Sequence, residues 1–398
     1  MEEIIRRKMS GLKKDIGVFS DRLSELSDTG NGFTQGVGDL VYREMKKIGY
    51  NTVTKDRAGN VVGVVKGYKN TSNLALLSHH DMAISTMSGT GVNKFLAGIV
   101  TSVFTGALLK NTLLPLEGDL MVCCVPRKDL CSFGIKHLYE NSMKKANLKG
   151  VILAEPSNYN VYLGSRGKME YQISVKGKLD NDFLKTKGIN MLSVMYPLIQ
   201  ELENLSRTLP VNNEFGSSSL SIKDITFQEN DSSGNYREFR IVVDRCFTDS
   251  ENSNSILKKA SMIAENIYSK QDGVVVETSI SNGSAKSSEG ETMVSDKKSS
   301  YWKMENSHPF VTNSIQVLKE NGFDPSIGYW KQIITEGSYT CGEWKIPTIG
   351  FGGGTEESLY VKNTPLDAES IERSILGKSL IIHRNAGIPS FGWCEDEI

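Results

Sequence analysis

Ile4, Ile5, Met9, Leu12, Ile16 and Phe19 recur at helical spacing, so the start of the chain reads as an amphipathic helix. A second helix is predicted from about Val37 to Ile48, stopping at Gly49, and two short strands flank the turn at Asp56–Asn60. Leu74–Ser78 is a compact apolar strand followed at once by the polar cluster His79-His80-Asp81. Apolar and amphipathic segments then alternate: helix Phe95–Lys110, strand Asp119–Val125, helix Gly134–Ala146, strand Gly150–Ala154. Wholly apolar strands alternating with helices indicate an α/β fold, a mostly parallel sheet flanked by helices. Polar groups at the C-terminal ends of such strands are where sites are built, and His79–Asp81, Arg127–Asp129 and Glu155 all fall there.

The pattern changes in the middle of the chain. Strand Met169–Lys176, helix Asn190–Leu209, strands Ser218–Gln228 and Tyr236–Thr248, helix Asn254–Lys270 and strand Gly273–Ile280 give the order βαββαβ, an inserted ferredoxin-like unit. Ser281–Ser300, rich in Ser, Lys and Gly, reads as a loose connection back. The α/β alternation resumes with helix Pro309–Asn321, strand Thr348–Gly352 and helix Ala368–Asn385. The division expected is residues 1–168, first part of an α/β domain of catalytic type; 169–284, an inserted lid or dimerisation domain; and 285–398, the second part.

Composition narrows the class. The 398 residues carry 46 basic and 47 acidic side chains, which nearly cancel and argue against a nucleic-acid or anionic-membrane partner. Six cysteines without a CxxC pair read as reduced thiols of a cytoplasmic protein. Phe95–Leu109 is too short and too interrupted to span a membrane. The charged N-terminus lacks the apolar core of a signal peptide.

Neutral imidazole is a good zinc ligand, and a carboxylate two residues on can orient it, so His79 and Asp81 are the first candidates for chemistry. The glycines at 350–354 lack the Lys-Ser/Thr of a nucleotide loop and read as a tight passage from strand to loop.

Three stretches, ALLSHHD, AEPSNYNVYLGSRGKMEYQISVKG and IPTIGFGGG, give the chain a resemblance over nearly its whole length. It resembles the zinc-dependent family of acetylornithine deacetylase, succinyl-diaminopimelate desuccinylase and glutamate carboxypeptidase, and within it the selenium-metabolism hydrolases. The resemblance implies two zinc ions, a bridging Asp, and a Glu general base that activates water. His79 matches the first metal ligand, Asp81 its orienting carboxylate, and Glu155 the carboxylate ligand of the same ion. The other positions depart. Lys94 stands where the bridging Asp belongs, and no Asp or Glu occurs from Met82 to Leu116. In Arg127-Lys128-Asp129, Lys128 takes the position of the base and Asp129 that of a ligand; a one-residue shift puts Arg127 and Lys128 there. Asn363, or Tyr360 in another register, replaces the late His, and Asn181 replaces a His of the inserted domain. Arg166, Gly352 and Gly353 match substrate-facing or scaffolding positions.

The resemblance, with these departures, implies a catalytically inactive homologue, a pseudoenzyme that binds a small molecule or regulates a partner. No cofactor is expected, and Lys94 is expected to pair with Glu155 and Asp129 in place of metal. The alternative is an active hydrolase of small N-acyl amino acids or dipeptides, using one zinc or other divalent ion at His79, Asp129 and Glu155. A homodimer through the inserted domain, or pairing with an active paralogue, is what the resemblance implies about partners.

Overall fold

The computed structural model describes residues 2–27, 33–69, 71–79, 92–112, 116–126, 132–178, 191–229, 236–269, 274–286, 291–360 and 367–387. A nine-stranded sheet forms the larger body. Its four middle strands, Leu120–Val125, Asn73–His79, Leu148–Leu153 and Thr348–Gly350, run parallel in that order. Antiparallel strands Val61–Val65 and Thr52–Lys55 extend one side. On the other side Val161–Ser165 pairs antiparallel with Gly350 and with Trp302–Lys303, and parallel with Ile327–Trp330. The central strands are buried on both faces, as their unbroken apolar runs require.

The helices cover the sheet. In Glu2–Ser27, Ile5, Met9, Ile16, Phe19 and Leu23 face the core, whereas Ile4, expected on that face, is exposed because the buried stripe passes one residue along. Helix Val92–Asn111 is buried along most of its length, as its apolar composition predicts. Among the described residues no helix is long and apolar enough to cross a membrane.

A second, wholly antiparallel sheet holds Ser219–Glu229, Tyr236–Phe247, Gly167–Lys178 and Val274–Ile280 in that order. Helices Met191–Arg207 and Ser253–Tyr268 complete the ferredoxin-like βαββαβ unit. It carries a hydrophobic core of its own, built on Tyr171, Leu198, Phe239 and Ile256. The loose connection expected over 281–300 is corrected: Asn282–Lys286 and Thr292–Asp296 pair as a β-hairpin. Backbone pairing and polar anchors such as Lys136 to Ser295 hold it, so no hydrophobic alternation announces it. Strands Val161–Ser165 and Ile327–Trp330 were also not read from the sequence.

Candidate metal or ion-pair site

The parallel strands deliver the site. His79 is the last residue of its strand, level with Val125 on the neighbour. On the other side, Leu77 lies opposite Leu153, and the Ala154 amide donates to the Leu77 carbonyl. Glu155 follows directly. Gly352 passes so close behind it that a Cβ there would sit 2.5 Å from the Glu155 carbonyl oxygen, which is why this passage needs glycine.

A third residue arrives from an element the sequence did not reveal. After strand Ile327–Trp330, the buried carboxylate of Glu356 accepts hydrogen bonds from the amides of Lys331, Gln332 and Ile333. That turn leads into Glu336, whose carbonyl accepts from the Tyr339 and Thr340 amides at the start of a π-helical turn, Ser338–Glu343. Such turns recur at functional sites. Glu336 is a lone acid after Ile333-Ile334-Thr335, and no local spacing marks it as a ligand.

His79, Glu155 and Glu336 meet in the interior. His79 Nε2 lies 2.8 Å from Glu155 Oε1 and 2.6 Å from Glu336 Oε2, and all three side chains are about 95% buried or more. Neither contact has hydrogen-bond geometry, so the attraction is electrostatic. Burial opposes protonation of His79, but the Glu336 and Glu155 carboxylates outweigh it and raise the imidazole to about 9. Its Nδ1 is buried with no hydrogen-bond partner among the described residues.

A fourth charged group stands behind the cluster. Lys378, in the helix Ala368–Ala386, is fully buried and donates to Thr101 Oγ1 at 2.5 Å. Burial pulls its ammonium down to about 7, while the charge of Glu155 pulls it back up.

One nitrogen and two carboxylate oxygens, all within 4.8 Å of one another, fit one divalent cation with room for a further ligand. No other group of His, Cys, Asp and Glu with such spacing occurs among the described residues, so these residues do not fit a pair of ions.

The remaining candidates separate into two groups. Asp81, Lys128, Asp129 and Asn363 lie outside the described residues, as do the Lys94 and Tyr360 side chains, so the expected Lys94 pairing falls outside them too. Arg166, between strands Val161–Ser165 and Gly167–Lys178, donates from Nη1 to the Ser217 carbonyl at 2.7 Å. The Gly352 amide donates to Ser157 Oγ and the Gly353 amide to Ser374 Oγ, so both donors are engaged within the fold.

No family model matches the chain. It is 25% identical to YgeY, an uncharacterised protein of Escherichia coli K12, over 341 residues covering 81% of this chain and 83% of YgeY. Among solved structures, it is similar to the Saccharomyces cerevisiae dipeptidase Dug1p, with a TM-score of 0.67 at 11% identity, covering 97% of this chain and 98% of Dug1p. A Staphylococcus aureus tripeptidase gives 0.66 at 14% identity, over 92% and 98% of the two chains. The Bacillus subtilis YxeP protein, a dinuclear metal binding peptidase from the M20 family, gives 0.61 at 13%, again over 92% and 98%. The chain therefore has the fold of the M20-type metallopeptidases.

Proposed function

We propose that this chain is a metallopeptidase-fold protein that has lost amide hydrolysis and acts by binding a small molecule or a partner protein. One observation carries this reading: the buried carboxylates Glu155 and Glu336 both close on His79 of the chain itself, at 2.8 and 2.6 Å. His79 holds its proton through neutral pH, and Lys378 adds a second positive charge below about pH 7. A protonated imidazole thus stands between the two carboxylates, where a hydrolytic site would set them against metal. The lysines at two of the resemblance's lost positions agree in sign, Lys94 replacing a bridging carboxylate and Lys128 a general base, and the neutral Asn363 replaces a ligand. Asp81, Asp129 and Glu155 then remain as vestiges of a metal site.

The inserted unit, residues 169–284, is the region assigned to partner contact. Tyr196 and Met262, on its two helices, are more than half exposed, apolar side chains available to a second protein chain. Light scattering of the purified protein reads whether that chain is a second copy of this one.

Metal content tests the central reading. We expect less than about a tenth of an equivalent of zinc, manganese or cobalt per chain, and no amidase activity after these ions are added. Near-stoichiometric metal with turnover of N-acyl amino acids would sink it. Combining Lys94→Asp, Lys128→Glu and Asn363→His is then expected to raise metal uptake.

Glu336 favours a second reading, a one-metal hydrolase of N-acyl amino acids or dipeptides. His79, Glu155 and Glu336 would hold the ion, which would supply Lewis-acid polarisation of an amide carbonyl.

A further inference from the structure

A cleft of about 270 Å³ opens between the first helix, the turn Asn321–Phe323, and the first turns of the helix Ala368–Ala386. Met9, Phe323 and Leu376 form a buried apolar floor. The walls are charged with both signs, but not all of those charges are available. Lys13 pairs with Glu372 at 2.9 Å, and Arg6 has an interaction of its own. Two groups of opposite sign are left, Glu369 and Arg373, neither with an ion-pair or hydrogen-bond partner for its side chain among the described residues.

These two are one helical turn apart, a spacing at which Glu and Arg commonly pair. Here they do not, because aromatic rings hold the arginine. The Arg373 guanidinium lies 4.7 Å from the centre of the Phe323 ring and 5.1 Å from that of Tyr159. Tyr159 is itself fixed in a left-handed backbone conformation with φ of 60°; its amide donates to the Gly352 carbonyl and its hydroxyl to that of Ser370. The guanidinium is thereby set in place before any ligand arrives, which lowers the entropy cost of binding. A fixed cation, an anion one turn away and an apolar floor between helices are complementary to a small zwitterion with a hydrophobic body.

We propose that this cleft binds a free α-amino acid with an apolar side chain, its carboxylate on Arg373, its ammonium on Glu369, and its side chain on the Met9–Phe323–Leu376 floor. The site uses none of the His79 cluster and does not depend on whether that cluster takes a metal.

Titration calorimetry of the full chain with leucine, leucinamide and 4-methylpentanoate tests it. Leucine should bind at one saturable site. Leucinamide, lacking the carboxylate, and 4-methylpentanoate, lacking the ammonium, should each bind at least about tenfold more weakly. Arg373→Ala and Glu369→Gln should weaken leucine at least about tenfold, and Arg373→Lys should stay weak because lysine lacks the planar group that the rings hold. Circular dichroism establishes that each variant is folded, and both positions are exposed, so folding is expected to survive. No saturable leucine binding up to about 10 mM, 4-methylpentanoate binding as tightly as leucine, or full affinity in folded Arg373→Ala would each overturn the proposal.

Discussion

Of the clusters that bury carboxylates among the described residues, two solve the resulting electrostatic problem in opposite ways. In the inserted unit, one carboxylate, Glu170, meets Lys223 of the same unit at 2.5 Å and Lys297, from the segment that follows it, at 2.8 Å. Burial pushes the Glu170 carboxyl up, but the two ammonium groups prevail and hold it below the usual range. Lys223 is 57% exposed and keeps most of its hydration. At the ends of the parallel strands the proportions reverse: two carboxylates share one imidazole nitrogen, all of it enclosed, with Lys378 behind. The first cluster is a clamp at the rim of a sheet, replaceable at small cost. The second has negative charge in excess of its immediate partner, the condition under which a protein takes up a proton, a buried lysine or a metal ion.

The sharpest way to break this contrast is His79→Ala. It leaves Glu155 and Glu336 enclosed without their shared partner, and should cost about 3–5 kcal/mol in urea unfolding. A loss no larger than that of a surface pair would mean that the carboxylates are already neutral or otherwise compensated.

The same residue gives the contrast a pH signature. The folded imidazole titrates at about 9, above about 6.5 for an unfolded histidine, so protonation favours the folded state. Its stabilisation is complete below the unfolded value and disappears as pH rises through the folded one. The stability gap between wild type and His79→Gln should therefore narrow between about pH 6.5 and 9. With a cation in the site the imidazole would be neutral, and the gap would not follow that course.

Intermediate effects are expected where the scaffold fixes the cluster. Gly352→Ala drives a methyl into the Glu155 main chain and should cost about 1–3 kcal/mol. Glu356→Gln puts an amide NH₂ where a carboxylate oxygen now accepts a main-chain N–H, also about 1–3 kcal/mol, and should release the turn that carries Glu336. Equilibrium unfolding reads both; wild-type stability in Glu356→Gln would show that the turn is held by other contacts. The smallest change belongs to the other cluster: Glu170→Gln should cost about 1 kcal/mol or less, because its partners remain partly hydrated. A loss equal to that of His79→Ala would erase the distinction drawn between the two clusters.

How far the sequence reached varied from element to element. The strand ending at His79 was legible because a run of buried apolar residues stops abruptly at a polar cluster. The ferredoxin-like order was legible because each strand and helix keeps its own period. The hairpin at 282–296 was not, since it pairs through main-chain groups that every residue possesses. Glu336 was not legible either. It lies 181 positions from Glu155, and nothing in its neighbours distinguishes it from an exposed acid. Lys378 is a comparable case: a lysine in a helix ordinarily extends to solvent, and only packing against Val92–Asn111 shows that this one cannot.

By itself, then, the sequence determined the α/β alternation, the inserted antiparallel unit, and the placing of His79 and Glu155 at strand ends. Those properties are written in periodicity and in where apolar runs break, which are local in the chain. Only the tertiary structure decided that Glu336 joins His79 and Glu155, that Lys378 stands behind them, and that Arg373 is caught between two rings. Burial and charge proximity depend on residues far apart in the chain, and the folded structure alone brings them within a few ångströms.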